Sequence, residues 1–284
     1  MSSLLRSLLV VLIFLTAEGE LFAASKKEPR SKEQPYQVEG FDKSAERLPK
    51  GFLGLDVSRT AKVLAAPKGY GPKDDFESSD TFKQRIARPP ESFKLYGSIN
   101  AASVVALAAP IPVVDVSFYA DDGLLVWKPN LGSKDKDGVY TETVDLGMTI
   151  KHLERYQGQN SYGARAQVDK VAVSENEVTI AIPEASASIV RGHWPFEHAF
   201  RVAFQTPPGI AKKVLDFRER ENFRFLLIGK LRAPYVKTRA MSLGDATVAT
   251  PVTGYVLTRG LILDVQAVWL YRVSTGEIIG KVQI

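Results

Sequence analysis

The sequence predicts an α+β protein: a mostly antiparallel β-sheet meander with two short helices, preceded by a signal peptide and a flexible leader. Three observations carry this. Alternation of apolar and polar residues recurs from about Leu95 to the C terminus, the period of a strand with one buried face. Helical spacing appears in two short stretches, each behind a serine or proline start signal. The first 50 residues hold one compact apolar run and then a charged stretch poor in aliphatic residues. With 284 residues, 45% of them hydrophobic and 10% aromatic, the chain can bury a sizeable core in one or two domains.

Residues 1–24 read as the signal peptide. Arg6 supplies the positive region, Ser7 to Ala17 the apolar one, and "LFAAS" the small-residue neighbourhood of a cut after Ala24. The apolar run is about half the roughly 20 residues that span a bilayer. Removing this segment takes away Arg6, Glu18 and Glu20 and leaves a mildly basic chain of net charge +6. The chain has no cysteine, which excludes disulfides, thiolate metal sites, a cysteine nucleophile and a lipidated cysteine. A soluble periplasmic or secreted protein is the expectation.

Residues 25–50 are polar and highly charged, and little fixed structure is expected there. Residues 51–94 read as a loop and short-helix segment. After the Gly/Pro loop "APKGYGPKDD", Ser78 or Ser79 caps a helix with Asp80 in its first turn, Phe82 and Ile86 on one face, and an end near Ile86 ahead of Pro89 and Pro90. Residues 95–284 form the β-rich domain. Val114, Val116, Phe118 and Ala120 share one face of a run that turns at Asp122-Gly123 into "LLVWK". A second run extends from Tyr140 to Ile150, followed by the turn-rich "GQNSYG". "ARAQVDKVAV" then meets "EVTIAIP" across a polar turn at Ser174–Glu177. Behind Pro207 and Pro208, Ile210, Val214 and Phe217 mark the second helix. "NFRFLLIGKL" is a strand, and the run from Leu261 to Val273 closes through "STGE" on "IIGKVQI" as a terminal hairpin.

Few stretches carry chemistry. "RGHWPFEH" holds two of the three histidines, and His193, Glu197 and His198 are the candidate metal ligands. Pro195 blocks the regular helix on which zinc-binding histidines lie one turn apart, so the stretch reads better as the lead-in to a core strand, with no metal and no cofactor expected. There is no G-x-S-x-G elbow, phosphate loop or dinucleotide fingerprint. Gln159, Asn160 and Tyr162 could line a polar ligand loop, their glycines otherwise serving a turn. Asp74, Asp75, Glu77 and Asp80 lack the layout of a calcium loop and suit helix capping.

Positive charge is better organised. Between Ala211 and Ala240 lie nine basic residues, Lys212, Lys213, Arg218, Arg220, Arg224, Lys230, Arg232, Lys237 and Arg239, against three acidic ones. Such a patch suits an anionic envelope component, an anionic lipid surface or an acidic protein partner; the bland reading is a solvated face. Nucleic acid is not expected.

The stretches "GPKDDFESSDTFKQR", "GQNSYGA" and "WLYRVSTGEIIGKV" resemble pieces found in uncharacterised exported proteins of Gram-negative bacteria. The resemblance covers scattered motifs and implies a periplasmic location; it supplies no activity. The leading expectation is an exported, non-catalytic envelope protein that binds or scaffolds through its basic surface or an exposed sheet edge. Two alternatives stay open: a periplasmic hydrolase acting on an envelope polymer with carboxylates brought from distant strands, and partner binding by β-strand addition, which asks for a long edge strand without proline and inward charge.

Overall fold

The computed structural model describes residues 36–66, 69–71, 73–129, 139–159, 162–183, 188–189, 198–199 and 201–284. In chain order the elements are α1 (Val57–Ala65), α2 (Ser79–Ile86), β1 (Lys94–Tyr96), β2 (Ile99–Asn100), β3 (Val104–Pro110), β4 (Val116–Tyr119), β5 (Leu124–Trp127), β6 (Val139–Gln159), β7 (Arg165–Pro183), β8 (Ser188–Ile189), β9 (His198–Ala199), β10 (Val202–Gln205), α3 (Pro208–Leu215), β11 (Phe223–Ser242), β12 (Val252–Arg272) and β13 (Ile278–Gln283). The protein is mostly β-sheet with three α-helices among the described residues, an α+β architecture.

The main sheet runs β3-β11-β12-β7-β6, and β13 pairs with the last part of β12. It is mixed rather than a pure meander. β6–β7 and β11–β12 are antiparallel hairpins, but β7 and β12 lie parallel over Asp169–Ala181 and Val252–Asp264. A smaller sheet, β10-β5-β4, joins the predicted Asp122-Gly123 hairpin to a strand from much later in the chain.

On one face of the main sheet, Val105, Leu107, Val178, Ile180, Phe225, Leu227, Leu261 and Leu263 meet Leu64 of α1, Leu125 and Trp127 of β5, Phe204 of β10, and Val214 of α3. Stacked rings Trp127–Phe225 (4.8 Å) and Phe204–Phe225 (5.7 Å) join the two sheets. The other face buries Ala106, Leu226, Ile228, Ala267, Trp269 and Tyr271. Both faces of the central strands are therefore covered, and their near-continuous apolar runs follow from that.

The cover on this second face departs from expectation. From Tyr36 onward the segment expected to have little fixed structure is laid over the sheet. Phe41 N–H donates to Val104 at 2.8 Å, Leu48 N–H to Gly276 at 2.8 Å, and Phe41 meets Trp269 edge-on at 5.3 Å. A few apolar side chains, Phe41, Leu48 and Phe52, hold a segment whose average composition is polar. The first 35 residues, with the predicted signal peptide, lie outside the described residues.

Helix α1 was not expected. Asp56 caps it by accepting from Arg59 N–H at 2.9 Å, Val57, Ala61 and Leu64 turn inward at helical spacing, and Ala66, ahead of Pro67, leaves in an extended conformation. Helix α2 has the predicted bounds, with Ser78 accepting from Thr81 N–H at 3.1 Å. Its buried residue, however, is Arg85, while Ile86 is exposed. The guanidinium reaches Glu77 through two bonds of 2.8 and 2.7 Å and the Gly69 and Gly71 carbonyls at 2.6 and 3.1 Å, so its charge and donors are met. Phe217, expected on α3, lies beyond its end and is exposed.

Candidate functional site

Strands β6, β7, β11 and β12 are 19 to 21 residues long, well beyond what the core needs, and their far halves make an arm. The predicted turn at Ser174–Glu177 is absent because β7 runs straight through it. Those four residues pair without a break to Leu257–Gly260 of β12, and on β6 to Thr149, Met148, Gly147 and Asp145. Reading across the registers gives successive rows. Met241, Val256, Val173 and Ile150 form an apolar row; next come Arg239, Thr258, Glu175 and Met148, then Lys237, Gly260, Glu177 and Asp145.

The charged rows explain why polar residues sit mid-strand. Thr258 donates to Glu175 Oε2 at 2.9 Å, and Lys237 Nζ to Thr179 Oγ1 at 3.4 Å. Glu177 lies over Gly260, where a Cβ would come within 3.0 Å of its Cγ. Burial raises the Glu177 carboxyl, and the Arg239 and Lys237 charges oppose that rise. Burial also raises Asp145, opposed by the Gly147 N–H that it accepts at 2.7 Å. Among the described residues no group of three or more histidines and carboxylates is placed to hold a metal ion.

Strand β6 is the outer strand of this arm. Its one strand partner among the described residues is β7, and it contains no proline over 21 residues. Its ladder is interrupted between Asp145 and Gly147 and again between His152 and Glu154. Between these bulges Gly147–His152 pairs in unbroken register with Asn176–Val171, and one side of these six residues, about 20 Å of edge, has no strand partner among the described residues. Met148 and Ile150 pack on Val171, Val173 and Val256, which fixes this window from behind; Thr149 and Lys151 are exposed.

The expected site residues fall in several places. Lys212 and Lys213 are exposed on α3, Lys213 pairing with Glu219 at 3.4 Å. Arg218 is exposed in the turn after the helix, and Arg220 donates to the Leu215 carbonyl at 2.8 Å. Arg224 is half-buried, donates to the Glu221 and Phe223 carbonyls, and is pushed down by burial. Lys230 is exposed mid-strand, Arg232 meets Asp264 at 3.2 Å, and Lys237 and Arg239 belong to the arm. From Arg224 to Arg239 the strand contour is about 50 Å, so the nine cations do not form one surface. Gln159 ends β6 and Tyr162 is fully in solvent at the same hairpin, but Asn160 lies outside the described residues. His193 and Glu197 also lie outside them, and His198 is placed only as backbone of β9 opposite Ile189. Of the four carboxylates expected to serve helix capping, Asp80 lies in the first turn of α2, but the cap is Ser78; Asp74 accepts from Phe76 N–H ahead of the helix and Glu77 pairs with Arg85.

One residue the sequence reading passed over is Glu142, on β6 opposite Ile180. Burial, aided by the Asp115 charge, pushes its carboxyl up to about 7. The signal was a glutamate facing the core side of an alternating run, in register with Val144 and Tyr140. β6 as a whole therefore departs from the expected edge strand free of inward charge; such a charge works against promiscuous pairing, and it lies outside the Gly147–His152 window. Comparison with protein-family models, curated proteins and solved structures gave no match to this chain.

Proposed function

We propose that the protein is an exported binding or scaffolding protein that takes an extended segment of a partner polypeptide onto the free edge of β6. The observation that carries this reading is the open Gly147–His152 backbone, backed by three further strands and bounded on both sides by bulges. Strand addition draws its affinity from main-chain hydrogen bonds, and a window already held in regular strand geometry against β7 needs little further ordering. The bulges and Glu142 protect the rest of the strand from non-specific pairing, which leaves one short stretch available. Export and a periplasmic or secreted location rest on the features of residues 1–24 and on the absence of cysteine. The electrostatic form of the envelope-binding reading draws less support, because its cations are divided between α3 and the arm.

The test joins capture to a footprint. Immobilised protein is exposed to solubilised envelope, and the retained partner is then added back during hydrogen exchange. A partner that stays bound through high salt and slows the amides of Gly147–His152 supports strand addition. Release at moderate salt, or protection elsewhere with none at these amides, rejects it. Proline placed in turn at Thr149 and Ile150 adds a control, since neighbouring N–H groups point to opposite sides of a strand. The variant that removes only the outward N–H should keep the fold and lose the partner.

A further inference from the structure

The small sheet carries a second concentration of function-bearing groups, remote in sequence from the arm. Val116, Phe118, Leu125, Trp127, Val202 and Phe204 turn into the core, so Ser117, Tyr119, Val126 and Ala203 lie on the opposite side of the small sheet, where Val126 is itself buried. On that side Lys128, just past β5, extends its ammonium to Tyr119 at the end of β4 and donates to Oη at 2.6 Å, 5.1 Å from the ring centroid. Arg201, just ahead of β10, sets its guanidinium 5.8 Å from the same centroid. Tyr119 is 38% exposed. The register sets Arg201 beside Lys128, since Trp127 pairs with both Val116 and Val202, whereas Tyr119 pairs with Leu124 near the other end of β5, so the Tyr119 and Lys128 side chains reach each other along the same face of the sheet.

Three features of this group point to a ligand. Two cations gather on one tyrosine, Lys128 at its hydroxyl and Arg201 by its ring, and neither forms a salt bridge with a carboxylate among the described residues. Two cations around one side chain, without a carboxylate partner among the described residues, set up a positive potential that an anion can use. Because Lys128 donates to Oη, the phenol's own O–H is left to donate outward. The Lys128 bond and charge, with Arg201, hold the Tyr119 phenol below its usual range, as does any site of strong positive potential.

We propose that Tyr119, Lys128 and Arg201 form a binding site for a phosphate group. Three donors, Tyr119 on β4 and Lys128 and Arg201 flanking β5 and β10, two of them charged, match the several oxygens and double charge of a phosphoryl group better than the two oxygens and single charge of a carboxylate. The group could belong to free phosphate, a phosphoester or a lipid headgroup, which share this chemistry. This site does not depend on the β6 edge.

Inorganic phosphate is titrated into the full chain at neutral pH, with chemical shifts or heat as the readout, beside acetate of equal ionic strength. Saturable binding in the millimolar range, weaker for acetate and declining with added salt, is expected. Lys128→Ala and Arg201→Ala should each weaken it by about tenfold and Tyr119→Phe by a smaller factor, while Lys212→Ala on α3 leaves it unchanged. Vesicles of neutral lipid with and without an anionic phospholipid separate the sources. Adsorption that needs the anionic lipid and is lost in Lys128→Ala names the headgroup; phosphate binding without adsorption names a soluble ligand. No saturable phosphate binding, or equal weakening by Lys212→Ala, overturns the assignment.

Discussion

Glu142 is held where its charge is unwelcome. Its carboxyl is raised from an ordinary 4.5 to about 7, first by burial and then by Asp115. Below about pH 4.5 the group is protonated in both folded and unfolded chains and costs nothing. Between there and pH 7 the folded chain keeps a proton that the unfolded chain releases, so stability falls as pH rises, and the cost is complete above 7. Discounted for the side chain's partial exposure, that cost is about 1–2 kcal/mol. Glu142→Gln should therefore raise Tm by about 2–4 °C at pH 8 and leave it nearly unchanged at pH 4 in thermal scans. An equal gain at both pH values would mean that charge is not the cause. Gly229 shows the opposite situation, a site defined by a missing atom. At the bulge between Ile228 and Gly229, a Cβ would overlap the Asp264 carbonyl of β12. Gly229→Ala should cost about 2–4 kcal/mol in urea unfolding, because backbone of the two central strands would have to separate.

Among the elements, caps and covering segments contribute stability in distinct ways. Ser78→Ala removes the one side-chain acceptor at the start of α2 and should cost about 1 kcal/mol, read as a lower urea midpoint with an unchanged slope. Phe52, 6% exposed in the N-terminal cover, accepts through its carbonyl from Tyr271 Oη at 2.5 Å and packs under Phe41. Phe52→Ala should cost about 3–4 kcal/mol and loosen the whole segment from Phe41 to Leu55, a loss that hydrogen exchange would localise. These elements also mark what was legible in the sequence. Ser78, Asp80 and the proline pair gave α2 its limits, and Asp122-Gly123 gave the β4–β5 turn, since both signals are local. The cover was hidden because three apolar residues among many charged ones decide its fate through contacts with Val104, Trp269, Tyr271 and Gly276, all far along the chain. The false turn at Ser174–Glu177 came from the same limit. Polar residues in mid-strand look like a loop until Thr258, Gly260 and Lys237 are brought beside them. The β6 edge was foreseen as a kind of site but not as a place, since strand order decides which strand is outermost and order is not written in alternation.

At the scale of the whole molecule, the body and the arm differ in what holds them. In the body, both faces of β11 and β12 are sealed, by α1, α3 and the small sheet on one side and the N-terminal cover on the other. The arm has one small apolar cluster, Val171, Val173 and Val256 with their partly buried neighbours, and β6 beyond His152 is largely exposed. Local opening free energy follows buried apolar contact, so the isolated protein should exchange its arm amides well before those of Phe225–Ile228 and Val268–Tyr271. Within β6 a gradient is expected, with Arg155–Gln159 fastest and Val139–Tyr140, both buried, slowest. This ordering bears on function because an edge can accept a strand only while its outward groups are unprotected. Should Gly147–His152 instead be as slow as the central strands in the isolated protein, something already covers them. A repeat at tenfold dilution would then decide: protection lost on dilution means a second copy occupies the edge, whereas protection retained means the chain covers its own edge and strand addition has no place to occur.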